Sequence, residues 1–380
     1  MKSSICDLLG IEFPLVAFSH CRDVVSEVSR AGGMGVLGAV SMTPEQLEIE
    51  LRWIDEHIDG KPYGVDVLIP GSMFGKGEEP STQQMLAMVP REHKDFVAGI
   101  LEKHGIDTSD IDDEARAQRL GFGENLRDTG AHKLLDVAFS HPIKLIANAL
   151  GVPPDWMLKM GKERGVPVAA LAGAKKHAIR HVQAGVDILI VSGTEGGGHC
   201  GSVSTMVLVP EVREATQPYG HVPIVAAGGI VTGRQMAAAM AMGADGAWTG
   251  SVWLTTTEAE TSPPVKEKML AASSSDTVRS RSRTGKYTRQ LRSAWTDAWE
   301  APGSPEPLPM PLQSLVSDPP LKKIDKLAEG GHEGARRLAT YYVGQGVGLM
   351  NATRSVRRVV YDFKVDFLAA CERLSGFVAE

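Results

Sequence analysis

One short segment combines the residue types that a proton-transfer site needs. Glu195-Gly-Gly-Gly-His199-Cys-Gly201 closely follows the apolar run 187–191, which predicts a buried strand. Glycines after a strand end let backbone N–H groups approach a flat or anionic ligand without an intervening Cβ. Histidine is the usual proton-transfer group near neutral pH. We therefore expect His199 to be a functional base, carried on a mobile loop over the site.

Two further glycine motifs follow later apolar runs and suit a phosphate group. They are Ala226-Ala-Gly228-Gly229-Ile230, which ends the run 223–227, and Trp248-Thr249-Gly250-Ser251, which ends the run 246–249. In (β/α)8 barrels the loops after strands seven and eight commonly bind phosphate through backbone N–H groups and a helix N-terminus. The hydroxyls of Thr249 and Ser251 stand beside Gly250 and suit a phosphate dianion. The two motifs together predict a phosphate site.

A phosphate site with a proton-transfer histidine indicates a phosphorylated cofactor. Flavin mononucleotide (FMN) and pyridoxal phosphate both fit this pattern. A pyridoxal enzyme needs a Schiff-base lysine at a strand end. None of the eight predicted strand ends carries a lysine, and Lys144 and Lys175 lie near strands but are badly placed. The residues therefore disfavour pyridoxal phosphate.

The elements that must position these motifs alternate between strands and helices. Near-continuous apolar runs predict strands at 14–17, 34–39, 62–69, 143–148, 166–170, 187–191, 223–227 and 246–249. Helical patterns between them include 22–31, 44–58, 155–163, 174–184 and 233–242. Such alternation indicates a parallel sheet that is buried on both faces. Eight strands favour a closed (β/α)8 TIM barrel over an open doubly wound sheet.

Two segments exceed a minimal barrel and set the predicted domain division. The segment 70–141 is an insertion after strand three with helix-favouring stretches at 82–88, 91–103 and 113–119, and we interpret it as a lid or wall of the site. The basic cluster Arg279-Ser-Arg-Ser-Arg283 either binds phosphate or, as we favour, forms an exposed loop. We predict a barrel at 1–255, a smaller covering domain at 256–334, and C-terminal helices at 335–380 that pack back on the barrel.

Composition excludes several classes of protein. The chain of 380 residues has 41 glycines and a formal net charge of −6, which argues against a dedicated nucleic-acid binder. The four cysteines form no Cys-x-x-Cys pair, so a zinc ribbon or thioredoxin motif is unsupported and no metal site is expected. No apolar run reaches the length of a membrane helix, and no signal-peptide pattern opens the chain. We expect a cytoplasmic protein.

As a set, the motifs resemble the nitronate monooxygenase family, formerly the 2-nitropropane dioxygenases, which also contains FMN-dependent enoyl-acyl-carrier-protein reductases. The matching segments are Ala31-Gly-Gly-Met-Gly-Val36, Pro62-Tyr-Gly-Val-Asp-Val-Leu68, Glu195–Gly201, Thr205-Met-Val-Leu-Val-Pro210 and Gly344–Leu349. The resemblance covers most of the chain. It implies an FMN-binding barrel with a smaller covering domain, and a homodimer.

The resemblance also implies an activity and a set of site residues. His199 matches the family's catalytic base, which removes the proton α to a nitro group. FMN and O2 then convert the nitronate into a carbonyl compound and nitrite. The implied flavin contacts are Phe18, Asp66, Ser192, Gly197, Gly198, Gly228, Gly229, Trp248, Thr249, Gly250 and Ser251.

Several positions depart from the family pattern. The usual Gln-Ala-Pro-Met after the first strand is Ala17-Phe-Ser-His20, and the departures elsewhere are Asp66 for Asn, Ser192 and Trp248 for Gln, and Leu171 for Lys. A carboxylate at Asp66 and a lost cation at Leu171 should disfavour an anionic reduced flavin by Coulomb repulsion. We therefore expect a divergent branch of the family whose physiological substrate need not be a nitronate.

Two alternatives stay open beside nitronate oxidation. One is an NAD(P)H-dependent FMN reductase or dehydrogenase that acts on an acyl-thioester or a quinone. The other is a non-catalytic barrel that binds flavin. Retention of His199 in its glycine setting favours an enzyme.

Overall fold

Eight parallel strands close into a barrel in the computed structural model, which describes residues 3–69, 82–109 and 128–378. The barrel strands are β1 (Leu15–Ser19), β2 (Met34–Gly38), β3 (Tyr63–Val67), β4 (Leu145–Asn148), β5 (Val168–Ala172), β6 (Ile188–Ser192), β8 (Ile224–Ala227) and β9 (Gly246–Thr249). Strand β9 pairs with β1 and closes the ring. Each predicted strand is present, so the predicted (β/α)8 barrel is confirmed.

Helices surround the barrel and continue beyond it. They are α1 (Ser4–Leu9), α2 (Arg22–Arg30), α3 (Pro44–His57), α4 (Thr82–Ala87), α5 (Arg91–Lys103), α6 (Asp128–Ser140), α7 (Asp155–Arg164), α8 (Lys175–Ala184), α9 (Thr205–Thr216), α10 (Gly233–Ala241), α11 (Pro263–Ala271), α12 (Ala294–Glu300), α13 (Leu312–Glu329), α14 (Glu333–Leu338) and α15 (Val356–Ser375). Close packing of helix on strand requires small residues. A Cβ on Gly35 of β2, for example, would lie 2.2 Å from the Val25 carbonyl oxygen of α2.

The segment after β3 is described in part. The predicted helices 82–88 and 91–103 appear as α4 and α5, whereas the predicted helix 113–119 lies outside the described residues. Helix α6 packs against α3, as an ordinary barrel helix between β3 and β4 does. Helix α5 packs instead against α13, so this segment contacts the chain that follows the barrel.

A small antiparallel sheet corrects two expectations. It joins β7 (Gly198–His199), β11 (Thr288–Leu291) and β10 (Thr277–Ser280) in the order β10-β11-β7. His199 therefore lies on a paired strand, and the expectation of a mobile loop was wrong. The basic cluster 279–283 is no exposed loop either, because it continues β10 and buries Ser280 and Ser282 completely. The ladder hydrogen bonds of the hairpin outweigh the polarity of its sequence.

The C-terminal helix returns to the barrel. Helix α15 packs against α10 and α2, and a Cβ on Gly233 would lie only 2.0 Å from the Phe363 carbonyl oxygen. Arg354 and Arg358 at its start are exposed and pair with Asp362. In the portion of the chain that the structure covers, no helix combines the length and the apolar character that crossing a membrane requires.

Candidate active site

The carboxyl ends of the parallel strands gather the residues that the sequence proposes as a site. Asp66 lies on β3, Ser192 ends β6, and Trp248 lies on β9 beside Thr249. Phe18 of β1 stacks near Trp248, with ring centroids 6.5 Å apart and an interplanar angle of 27°. Strand direction thus places these side chains at the same end of one barrel.

The glycines at this mouth fall into two groups. Gly228 and Gly229 have left-handed φ angles of 107° and 70°, and a Cβ on Gly228 would lie 2.9 Å from the Gly193 nitrogen. Close backbone packing therefore requires Gly228, and Gly229 is required by its left-handed φ and by the Glu195 Cβ at 2.9 Å. By contrast, a Cβ on Gly198 or Gly250 would meet no other atom within 4 Å. The backbone at Gly198 and Gly250 faces open space, as a ligand cradle would.

Fewer groups are available for the predicted phosphate site than the sequence suggests. The Thr249 hydroxyl is directed inward, where it donates to the Val16 carbonyl (3.0 Å) and lies 3.0 Å from the Trp253 indole nitrogen. The first turn of α10 is capped by Thr232 and Gln235, and its Arg234 amide donates to Asp366 (2.7 Å). The site is therefore reduced to the backbone around Gly250 and the start of the 3₁₀ helix Ser251–Thr255.

Residues far along the chain hold the His199 imidazole. Its Nε2 lies 2.9 Å from the Thr284 hydroxyl oxygen, in the turn between β10 and β11. The Thr284 hydroxyl in turn donates to the Lys286 carbonyl oxygen (3.3 Å). We assign Thr284 Oγ1 as the acceptor of the His199 Nε2–H because its own proton is directed to Lys286; the assignment comes from the hydrogen-bond network and not from an observed proton. The unprotonated Nδ1 makes no hydrogen bond with any described residue.

The surroundings of His199 favour the neutral ring. Burial lowers its pKa to about 4, and the positive charge of Lys286 acts in the same direction. A histidine with so low a pKa is unprotonated at neutral pH, so its free Nδ1 can accept a proton, but the lowered pKa also makes the ring a weaker base than one with a pKa near 7. The arrangement suits a base whose Nδ1 points away from its protein anchor.

Burial changes the interpretation of Asp66. Only 6% of the residue is exposed, and burial alone raises its carboxyl pKa well above the ordinary value. The acid is therefore neutral over a wider pH range and offers an O–H donor, as the amide of Asn offers N–H. The Coulomb repulsion expected from a carboxylate at this position applies only above the raised pKa.

The structure also shows contacts that sequence reasoning missed. The Glu195 carboxylate accepts the Thr205 amide (3.0 Å) and hydroxyl (2.9 Å) at the start of α9. The Gly344 amide donates to Ser251 Oγ (2.9 Å), and a Cβ on Gly344 would lie 2.5 Å from the Glu195 carbonyl oxygen. The sequence signal for these contacts was the pair of glycines in Gly344-Gln-Gly346. These glycines allow close packing against Glu195 and Gly229.

Comparisons with known proteins agree with a barrel enzyme. The family model described as nitronate monooxygenase matches residues 2–365. A Mycobacterium tuberculosis protein with a provisional monooxygenase name is 53% identical over 380 residues, which is 100% of both chains. A nitroalkane oxidase from Streptomyces ansochromogenes superposes with a TM-score of 0.78 at 25% identity, covering 98% of this chain and 100% of that one. FabK from Thermotoga maritima superposes with a TM-score of 0.71 at 25% identity and covers 99% of each chain.

The fold and the neighbours thus define an oxidoreductase built on a (β/α)8 barrel, with a histidine at the mouth. Within that class, the chain belongs to the nitronate monooxygenase family.

Proposed function

We propose that the protein is an FMN-dependent enzyme that oxidises alkyl nitronates with O2, with His199 as the base when the substrate is a neutral nitroalkane. The observation that carries the proposal is the His199 imidazole. Thr284 holds its Nε2 at 2.9 Å, and burial keeps the ring neutral by lowering its pKa. Family membership supplies the reaction class.

The residues at the barrel mouth fit a flavin. Gly198 and Gly250 leave open space at the backbone, and the 3₁₀ helix Ser251–Thr255 begins directly after Gly250. In the proposal, these groups hold the phosphate and one edge of the ring system, with Asp66, Ser192 and Trp248 around the rest. The other proposed contacts are Phe18, Gly197, Gly228, Gly229 and the Thr249 backbone. Bound FMN would supply the electron transfer from nitronate to O2 that yields a carbonyl compound and nitrite.

The protein's own contribution is proton transfer. Nδ1 of His199 accepts the proton on the carbon α to the nitro group, and the imidazolium so formed still donates from Nε2 to Thr284. His199 lies on β7 of the small sheet β10-β11-β7, and its partial burial there lowers the pKa of the ring. A preformed nitronate has already lost this proton and has no need of the base.

The test compares two substrates in two proteins. Wild type should contain bound flavin and release nitrite from both 2-nitropropane and propyl-2-nitronate without NADH. His199→Ala should lose about 100-fold or more in kcat/KM on the neutral nitroalkane, the range that general base catalysis contributes, and change little on the nitronate. Equal loss on both substrates would show that His199 binds substrate instead. A colourless protein that takes up no FMN would refute the proposal.

A reductase is the second candidate, because the resemblance includes FMN-dependent enoyl-acyl-carrier-protein reductases and FabK superposes over nearly the whole chain. The same preparation decides between them. Bleaching of the flavin absorbance by NADH in the absence of oxygen would favour a reductase of an acyl-thioester or quinone. An unchanged spectrum would favour nitronate oxidation.

A further inference from the structure

One sheet face carries both His199 and an aromatic neighbour. In the small sheet, Thr288 of β11 pairs with His199, and Gln290 forms an antiparallel bridge with Tyr342. Residues two apart on a strand point to the same face, and directly paired residues share that face. The side chains of His199 and Tyr342 therefore leave the sheet on one side, which we call the His199 face.

The Arg283 guanidinium lies on this face, and two of its three nitrogens have no acceptor among the described residues. The Arg283 guanidinium carbon is 4.3 Å from the ring centre of Tyr342 and 5.9 Å from that of Tyr341. Its Nε and Nη1 atoms are buried and donate no hydrogen bond to the described residues. Asp318 and Asp325 act on Arg283 electrostatically, but neither forms an ion pair with it. Buried guanidinium nitrogens that lack an acceptor are costly, and a cation–π contact offsets only part of that cost.

Two side chains of α13 hold the backbone at Arg283. Gln313 Nε2 donates to the Ser282 carbonyl (2.9 Å), and Ser317 Oγ donates to the Arg283 carbonyl (2.5 Å), both from α13. The next residue, Thr284, contacts His199. Arg283 and Thr284 are consecutive residues of one turn, and they contact Tyr342 and His199 respectively.

We propose that Arg283 is the anion-binding residue of the substrate site and receives a planar two-oxygen anion, a nitronate or a carboxylate, against the His199 face. A guanidinium presents parallel N–H donors that match two oxygens on one planar centre. The inference rests on the proposed function for the nitronate. The binding of a carboxylate can be measured without turnover and does not depend on the proposed function.

The experiment uses isobutyrate, the unreactive carboxylate with the shape of propyl-2-nitronate, and calorimetry on the purified flavin-loaded protein. Arg283→Gln should weaken isobutyrate binding about tenfold or more and raise KM for propyl-2-nitronate by a similar factor, while kcat changes less. Arg283→Lys keeps the positive charge but loses the parallel N–H donors of the guanidinium. Its affinity for isobutyrate should therefore lie between those of wild type and Arg283→Gln. Arg279→Gln is the matched control, because Arg279 pairs with Arg289 and so lies on the opposite face of the sheet.

The outcomes separate the two proposals. Unchanged isobutyrate affinity in folded Arg283→Gln, or in Arg283→Lys if the glutamine variant does not fold, would overturn the anion site. Equal weakening in Arg279→Gln would reduce the effect to net charge and would also overturn it. Arg283-dependent isobutyrate binding in a protein that releases no nitrite from nitronates would leave the anion site standing and refute the proposed function.

Discussion

At the scale of single residues, the base depends on a hydroxyl that lies far away in the sequence. Thr284 is 85 positions from His199, yet its Oγ1 lies 2.9 Å from Nε2. Loss of that acceptor frees the ring to adopt the other tautomer, in which Nδ1 carries the proton and has no lone pair for the substrate. Thr284 is therefore a positioning residue for the proposed base.

Thr284→Val tests this role with nearly unchanged volume. We expect kcat/KM on a neutral nitroalkane to fall about 10- to 100-fold, the cost seen when a metal-ligating histidine loses the partner that orients it. Activity on the preformed nitronate should stay near that of wild type. Thr284→Ser retains the hydroxyl and should restore the nitroalkane activity. If serine and valine are equally impaired, or if both substrates are affected alike, Thr284 serves only packing.

At the scale of elements, the barrel strands were predictable and the small sheet β10-β11-β7 was not. Each barrel strand is a near-continuous apolar run, such as Ile188–Ser192, because parallel strands are buried on both faces. Strand β10 shows the opposite case, since Thr277–Ser280 and the basic residues after it alternate without an apolar face. Its strand state depends on pairing with β11 and β7, and Gly198–His199 is too short to leave a periodic signal. The contacts of Thr284 and Arg283 follow from that pairing.

The C-terminal glycine segment predicts a clear stability effect. Gly344→Ala would place a Cβ 2.5 Å from the Glu195 carbonyl oxygen and 3.1 Å from the Gly197 nitrogen, both backbone atoms that cannot turn away. We expect a loss of about 1–3 kcal/mol in the free energy of unfolding, typical of overpacking, and weaker flavin retention because the backbone from Glu195 to Gly197 must shift. Denaturant unfolding and flavin release measure the two effects.

Gly99→Ala is the control for that substitution. Gly99 lies within α5 and its Cβ would meet nothing within 4 Å, so alanine should be neutral or stabilise the helix by about 0.5–1 kcal/mol. If Gly344→Ala is as stable as Gly99→Ala, the close contact of Gly344 with the backbone from Glu195 to Gly197 does not contribute to stability.

At the scale of the whole molecule, buried titrating groups act on stability in opposite directions. His199 has a lowered pKa, so its contribution is present above the unfolded pKa and is lost as the pH falls toward about 4. Asp66 is the reverse case, because burial raises its carboxyl pKa. The folded state keeps that proton while the unfolded chain releases it near pH 4, so stability falls as the pH rises. The molecule thus carries an acid at its barrel mouth that resists ionisation.

Asp66→Asn should remove this dependence while keeping size and hydrogen-bonding character. We expect the variant to gain stability over wild type as the pH increases from about 5 to about 8, by up to about 1.4 kcal/mol per pH unit within the window between the unfolded and folded pKa values. Denaturant midpoints of both proteins, measured across that pH range in one buffer series, give the difference directly. A difference that is constant with pH would mean that Asp66 is already ionised in the folded protein. The carboxylate would then stand at the barrel mouth throughout, and the Coulomb penalty on an anionic reduced flavin would apply at every pH of the series.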